Sequence, residues 1–249
     1  MIEKKISVIC PTHRRAKLQT RFAEKVYENC SSPEDCEIIF GIDNDDEIAL
    51  KTAEELIERF GEDFIRVCLI EPGENLPNIS NICARTTARG FIYGNAADDV
   101  VFKSKNWDSV VLNEFDKFDD KILLLWSDDG NWNGTLAAHY FVSKNWFDVL
   151  GHIQPTFFHA DWTDHWNQTL AKSVGRAKVI MNRETLFLHH LHAELGGMEK
   201  DETYWKVKAK RERNVKEGLT FHNPTEEMKI AFAEQRLKLM KFIKDYSND

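Results

Sequence analysis

The sequence predicts an α/β protein, a mostly parallel central sheet flanked by helices, with a helical extension at the C-terminal end. Three observations predict it. Short apolar runs alternate about four times with segments of helical periodicity over the first 126 residues, the pattern of a parallel sheet covered on both faces. The apolar runs end in polar or acidic residues, where such sheets bind their ligands. A helix-start signature at Asn223-Pro224-Thr225-Glu226 precedes a last periodic stretch.

Residues 6–10 read as a buried first strand, closed by Pro11-Thr12-His13-Arg14-Arg15. A helix follows over about 15–27 and breaks at Ser31-Ser32-Pro33. Residues 37–42 form a second strand, ended by Asp43-Asn44-Asp45-Asp46. Over 47–60, Ile48, Ala49, Ala53, Leu56, Ile57 and Phe60 recur at helical spacing, and Gly61 stops the helix. A third strand over 64–70 turns at Pro72-Gly73. A helix over 77–88, a strand over 91–93, a helix over 107–118 and a strand over 121–126 complete the alternation. The second half is less regular: a strand over 138–142, a helix over 163–174, and extended chain over 178–181 and 185–192. Asn223 as N-cap, Pro224 at the first helical position and Glu226 in a capping box open the last helix, which runs to about Tyr246.

A chain of 249 residues with 42% hydrophobic side chains can bury a sizeable core, as one large domain or two small ones. No apolar run approaches a membrane span, and residues 6–10 are too short for the core of a signal peptide. A cytoplasmic protein is expected. Cys10, Cys30, Cys36, Cys68 and Cys83 are odd in number and form no C-x-x-C pair, which argues for reduced structural thiols. Residues 200–249 carry 12 Lys and Arg against 9 Asp and Glu, so the body holds 21 basic and 32 acidic side chains. An acidic body does not favour general binding to nucleic-acid phosphates, though a local basic stripe is compatible with it. No Walker A loop, G-x-G-x-x-G or G-x-S-x-G is present, which weakens the kinase, dehydrogenase and α/β-hydrolase classes.

Four constellations could carry chemistry. Asp98-Asp99 follows a strand and precedes an apolar run; Mg²⁺ or Mn²⁺ is held by one or two carboxylates plus substrate phosphates, although an Asp pair alone is equally an acidic turn. In His189-His190-Leu191-His192, strand geometry would put His190 and His192 on one face and His189 on the other. That pair is either a metal or phosphate site or two stacked structural histidines. Asp161-Trp162-Thr163-Asp164-His165-Trp166 offers a general base beside aromatic rings; Thr163 or Asp164 could instead cap a helix, and the tryptophans could be core. Lys206, Lys208, Lys210, Arg211, Arg213 and Lys216 form a basic run, either a phosphate contact or a solvated helix face.

The order of these motifs resembles family-2-like glycosyltransferases. Ile6-Ser7-Val8-Ile9-Cys10-Pro11-Thr12-His13-Arg14 is similar to their opening strand, and Ile38-Ile39-Phe40-Gly41-Ile42-Asp43 to the strand whose last aspartate contacts the nucleotide base. Asn81 matches a helix asparagine ahead of the fourth strand, and Ala97-Asp98-Asp99 stands where the metal-binding D-x-D belongs, with alanine at its first position. The resemblance implies a GT-A (nucleotide-diphospho-sugar transferase) fold over about 1–200, with a nucleotide-sugar half over about 1–126, an acceptor half over about 127–200 and a helical extension over 201–249. It implies transfer of a sugar from a nucleoside diphosphate sugar, UDP-sugar favoured, to an acceptor hydroxyl, assisted by Mn²⁺ or Mg²⁺, with inversion favoured. Pro11, Thr12, Arg14, Asp43, Asn81 and Asp98 would contact the donor. Asp99, with His190 or His192, would hold the metal, and Asp164 or Asp161 would be the base. The acceptor stays open among a glycan, a small molecule and a hydroxymethylated base of DNA. A sugar-nucleotide-forming enzyme is ranked lower because Pro11–Arg15 lacks the usual glycine-rich loop. Ala97 keeps a non-catalytic sugar-nucleotide-binding module in view.

Overall fold

The computed structural model describes residues 4–247. Its first half runs β1 (Lys4–Pro11), α1 (Ala16–Glu28), β2 (Cys36–Asp43), α2 (Glu47–Phe60), β3 (Ile65–Ile70), α3 (Leu76–Thr86) and β4 (Gly90–Asn95). There follow β5 (Val100–Phe102), α4 (Trp107–Phe115), β6 (Leu124–Ser127), β7 (Tyr140–Ser143), α5 (Lys144–Leu150), α6 (Thr163–Ser173), β8 (Ala177–Ile180) and β9 (Leu188–His190). Two helices end the chain, α7 (Glu202–Lys216) and α8 (Glu226–Tyr246).

Seven strands form one sheet in the order β3-β2-β1-β4-β7-β6-β8, and β5 pairs with β9 in a small ribbon. All neighbours in the large sheet are parallel except at β7, which runs antiparallel to β4 and β6. The start of β7 therefore lies at the carboxyl ends of its neighbours, and Tyr140 pairs with both Asn95 and Trp126. This reversal decides the composition of the site described below.

The two sheet faces follow from the strand period of two. Ile6, Val8 and Cys10 of β1 and Ile38, Phe40 and Ile42 of β2 pack on one side with α1, α2 and α4. Ile9 and Ile39 point the other way, into the layer made by α3, α5 and α6. Leu239 of α8 is fully buried in that second layer, with Phe232, Phe242 and Ile243 around it, so the last helix packs on the sheet's helical cover. Burying each large side chain such as Phe22 or Phe40 contributes about 1.5–3 kcal/mol. Among the described residues, no helix is long and apolar enough to cross a membrane.

Local signals explain the element limits. Asp46 caps α2 by accepting from the Ala49 N–H at 3.0 Å, and Gly61 ends it at φ 88°, a conformation that suits glycine. The last helix starts later than the sequence signature suggests. Thr225, not Asn223, is its N-cap, accepting from the Met228 N–H at 3.2 Å. Asn223 is instead engaged in an isolated bridge with Thr220. Within 185–192 only Leu188–His190 is strand, so the alternation of side chains expected across the three histidines stops at His190. Two elements, β5 and α5, have no counterpart in the sequence expectation, and the helical extension expected over 201–249 contains α7 between definite limits.

The buried end of β2 is held by Glu37. It is fully buried and accepts from Ser7 Oγ at 2.6 Å, the Arg89 N–H at 2.7 Å and Arg89 Nε at 2.8 Å. Removing one member of such a buried pair strands the other charge. Glu37→Ala is expected to lower stability by about 3–5 kcal/mol. The check is a fall of the urea midpoint at unchanged m-value; a midpoint within error of the parent would refute it.

Candidate active site

The carboxyl ends of β1, β2 and β4 converge on one rim. Thr12 follows β1; its N–H donates to Gly41 O at 3.1 Å and its Oγ1 to Asp98 Oδ2 at 2.7 Å. Asp98 is buried, and its other oxygen accepts from Arg15 at 3.0 Å. Burial pushes the Asp98 carboxyl up to about 6, against the pull of Arg15. Arg15 continues outward in a two-bond clasp of Asp201, at 2.7 Å for each bond, and Asp201 is the N-cap of α7. Arg14 adopts φ 54°, which turns its side chain outward to Glu202 at 3.2 Å. Asp43, at the end of β2, lies 3.7 Å from His13 Nδ1, and burial raises its pKa.

Beyond β4 the chain passes Ala97-Asp98-Asp99 into β5. Pairing of Val100 with His190 in the small ribbon lays β9 alongside Asp99, and the Leu191 N–H donates to Asp99 O at 2.9 Å. His190 Nε2 is 3.5 Å from Asp99 Oδ2, and His190 Nδ1 is 3.8 Å from Asp129 Oδ2. Burial opposes charge on His190, but the Asp129 and Asp99 carboxylates outweigh it and bring the imidazole up to about 9. Asp129 itself is fixed by the N–H groups of Asn131 and Trp132, both donating to Oδ1 at 2.9 Å.

His139 completes this group from the start of β7. Its ring lies 4.6 Å from that of His190. Burial, then the charge of His190, pushes its pKa down to about 3. Ligand atoms of Asp99, His139 and His190 all lie within 4.8 Å of one another. Several polar atoms here are buried without a hydrogen-bond partner among the described residues: Asp99 Oδ1, Asp129 Oδ2, His190 Nδ1 and both ring nitrogens of His139. Buried polar atoms are normally satisfied, and carboxylate with imidazole is a set of metal donors. The residues present therefore fit a divalent cation.

The far wall comes from the loop before α6, the first turn of α6 and α7. Asp164 Oδ1 accepts from the His165 N–H at 2.7 Å and lies 3.0 Å from His165 Nδ1. Its charge is felt at His139. Asp161 is bound to Arg211 at 2.9 Å, and burial raises its pKa. Trp166 is fully buried core, whereas Trp162 is partly exposed against His165 and His222. Helix α7 connects the two walls: Thr203 Oγ1 donates to His13 O at 2.7 Å, Lys206 meets His13 Nε2 at 2.7 Å, and Arg211 reaches Asp161.

No protein-family model matches the sequence, and no curated protein matches it significantly. Solved structures do resemble it. S. aureus TarS is 13% identical, with a TM-score of 0.57 over 74% of this chain and 36% of that one. The mannosyltransferase PcManGT from Pyrobaculum calidifontis, in complex with GDP-Man and Mn²⁺, is 13% identical, with a TM-score of 0.58 over 98% of this chain and 74% of that one. GalNAc-T7, solved with UDP, GalNAc and Mn²⁺, is 13% identical, with a TM-score of 0.61 over 98% of this chain and 55% of that one. The chain thus spans about a third of TarS and between half and three quarters of the other two. Its fold is the GT-A fold.

On the GT-A frame, Pro11, Thr12, Asp43 and Asp98 share one rim, and Asp99 and His190 lie together beside it. Asn81 makes its hydrogen bonds to the loop after α5. Its Nδ2 donates to Gln154 O at 2.8 Å and its Oδ1 accepts from the N–H groups of Ile153 and Gln154. It fixes Gln154, whose Nε2 hydrogen-bonds Asn95 at the end of β4, so its link to the rim is indirect. His192 is outside the three-residue group; its ring lies 5.0 Å from that of His190, past the end of β9. The sequence reading missed His139, Arg15 and Asp129's partnership with His190. His139 stands at the head of the expected strand over 138–142, and only the antiparallel direction of β7 reveals that this head faces the ligand rim.

Proposed function

We propose that the chain is a metal-assisted glycosyltransferase that moves a sugar from a nucleoside diphosphate sugar, UDP-sugar favoured, to an acceptor hydroxyl. One observation carries this reading: a buried group of unpartnered oxygen and nitrogen donors around Asp99 and His190, at the strand ends of a GT-A sheet. The structures that resemble it were solved with UDP, UDP-GlcNAc or GDP-Man, which supports a nucleotide-sugar donor. The nucleotide-sugar half is about 1–126, the acceptor half about 127–200 and the extension 201–249.

In this reading Thr12, Asp43 and Asp98 orient the nucleotide end of the donor, with Arg15 holding Asp98 in place. Asp99 and His190 hold a divalent cation, Mn²⁺ or Mg²⁺, which when bound supplies positive charge against the departing nucleoside diphosphate. Asp129 sets the orientation of His190. Asp164 takes the proton of the acceptor hydroxyl, and inversion at the anomeric carbon is favoured. The basic run on α7 is largely occupied within the chain: Lys206 by His13 and Glu202, Arg211 by Asp161 and Glu194, Arg213 by Glu217. That arrangement does not favour a duplex-DNA acceptor.

The test is release of nucleoside diphosphate from a panel of UDP- and GDP-sugars, with Mn²⁺ or with EDTA. Metal-dependent release from one donor is expected. Absence of release, together with no thermal shift from any donor, would overturn the reading in favour of a chain that does not use these donors.

A further inference from the structure

We propose that His139 is a third protein ligand of the cation, replacing the carboxylate that Ala97 lacks, and that the resulting site prefers a transition-metal ion to Mg²⁺. The inference rests on the metal-assisted reading and deepens it.

Ala97 stands at the first position of the acidic triplet, and a methyl group offers a cation nothing. A third donor near Asp99 comes from elsewhere in the fold. His139 is only 8% exposed. Neither of its ring nitrogens has a hydrogen-bond partner among the described residues. A buried imidazole with no partner on either nitrogen is costly to keep, and a structural histidine would normally be satisfied by a neighbour. The ring instead stands nearly perpendicular to that of His190, at 83°, with its centroid 4.6 Å away. Its ligand atom lies within 4.8 Å of those of Asp99 and His190. Asp99 Oδ1 is likewise buried and unpartnered. Three side chains from three separate strand ends, β4–β5, β7 and β9, thus bring their ligand atoms to one small volume.

The donor set has a consequence. A D-x-D site offers hard carboxylate oxygens, which Mg²⁺ and Mn²⁺ both accept. Here two of the three protein donors are imidazole nitrogens. Imidazole suits borderline ions such as Co²⁺ and Zn²⁺, while Mg²⁺ demands oxygen and dehydrates reluctantly. Exchanging a carboxylate for His139 shifts the site away from Mg²⁺. Three protein ligands also leave coordination positions open, as catalytic sites require, for the oxygens of a diphosphate.

The experiment is a Co²⁺ titration of the chelator-stripped protein without any donor, followed by visible d–d absorption and by calorimetry. One Co²⁺ per chain is expected, with Mg²⁺ displacing it only at more than about 100-fold excess. His139→Ala is expected to weaken Co²⁺ binding by on the order of 100-fold and to alter the visible bands. If the alanine variant does not fold, as judged by its thermal melt, His139→Gln makes the same test. Binding and spectrum unchanged in the variant, or displacement by Mg²⁺ at comparable concentration, would overturn the inference. Asp99→Ala separates the two levels: if it abolishes Co²⁺ binding while His139→Ala does not, only the role of His139 fails. If neither variant alters binding, the metal-assisted reading fails with it.

Discussion

Asp99→Ala is expected to lower metal-dependent release of nucleoside diphosphate by about 10³-fold. A cation that stabilises a departing diphosphate contributes several kcal/mol to the barrier, and about 4 kcal/mol corresponds to that factor. Asp99 is the carboxylate of the triplet free to act this way. Asp98, next to it, has both oxygens engaged by Thr12 and Arg15, whereas Asp99 Oδ1 is buried without a partner. The carboxylate also balances His190, so its removal perturbs the pocket as well as the cation. Asp99→Asn keeps the shape and one weak oxygen donor; it is expected to retain the parent's thermal melt while losing most of the metal-dependent rate. Full turnover by both variants in the presence of Mn²⁺ would defeat the assignment of the cation to this site.

Much of this arrangement is legible in the sequence because a parallel sheet carries its polar rim directly after its strands. Pro11 closes β1 and Thr12 follows it, Asp43 closes β2 and Asp98-Asp99 come after β4, each an apolar run that stops abruptly at polar residues. Helix α2 runs from Glu47 to Phe60, as its periodicity and the stop at Gly61 predict. The remainder depends on tertiary direction, which no local pattern encodes. His139 precedes its strand, so a rule that searches after strands passes over it; only pairing of β7 against β4 and β6 turns that end toward the site. The choice between Arg14 and Arg15 depends on one backbone angle, the φ of 54° at Arg14, which points the first side chain out and leaves the second to reach Asp98. The strand β5 has three residues, too few for a period, yet its pairing with β9 is what carries His190 to Asp99. Helix α7 reads as a solvated basic face because its partners, His13, Asp161 and Glu194, are distant in sequence.

Asp164→Asn is expected to reduce turnover by about 10²–10⁴-fold, the usual contribution of a positioned general base, while leaving the donor's KM within a few-fold of the parent. Two aspartates compete for this role, and their surroundings separate them. Asp161 is already paired with Arg211 of α7 at 2.9 Å, so its Oδ1 is occupied, although burial raises its pKa. Asp164 has both of its hydrogen bonds on Oδ1, from the His165 N–H and ring. Its second oxygen is left to meet a hydroxyl, and its charge reaches His139 at the metal-side group. With water standing in for the acceptor, slow donor hydrolysis reports on the same proton transfer. Asp161→Asn is then expected to cost less than about 10-fold in that assay, since its main structural effect is to release Arg211. The discriminating result is the ratio of the two variants. A severe loss in Asp161→Asn with near-parental turnover in Asp164→Asn would exchange their roles, and would make the Arg211 contact a device that holds the base rather than one that occupies its neighbour.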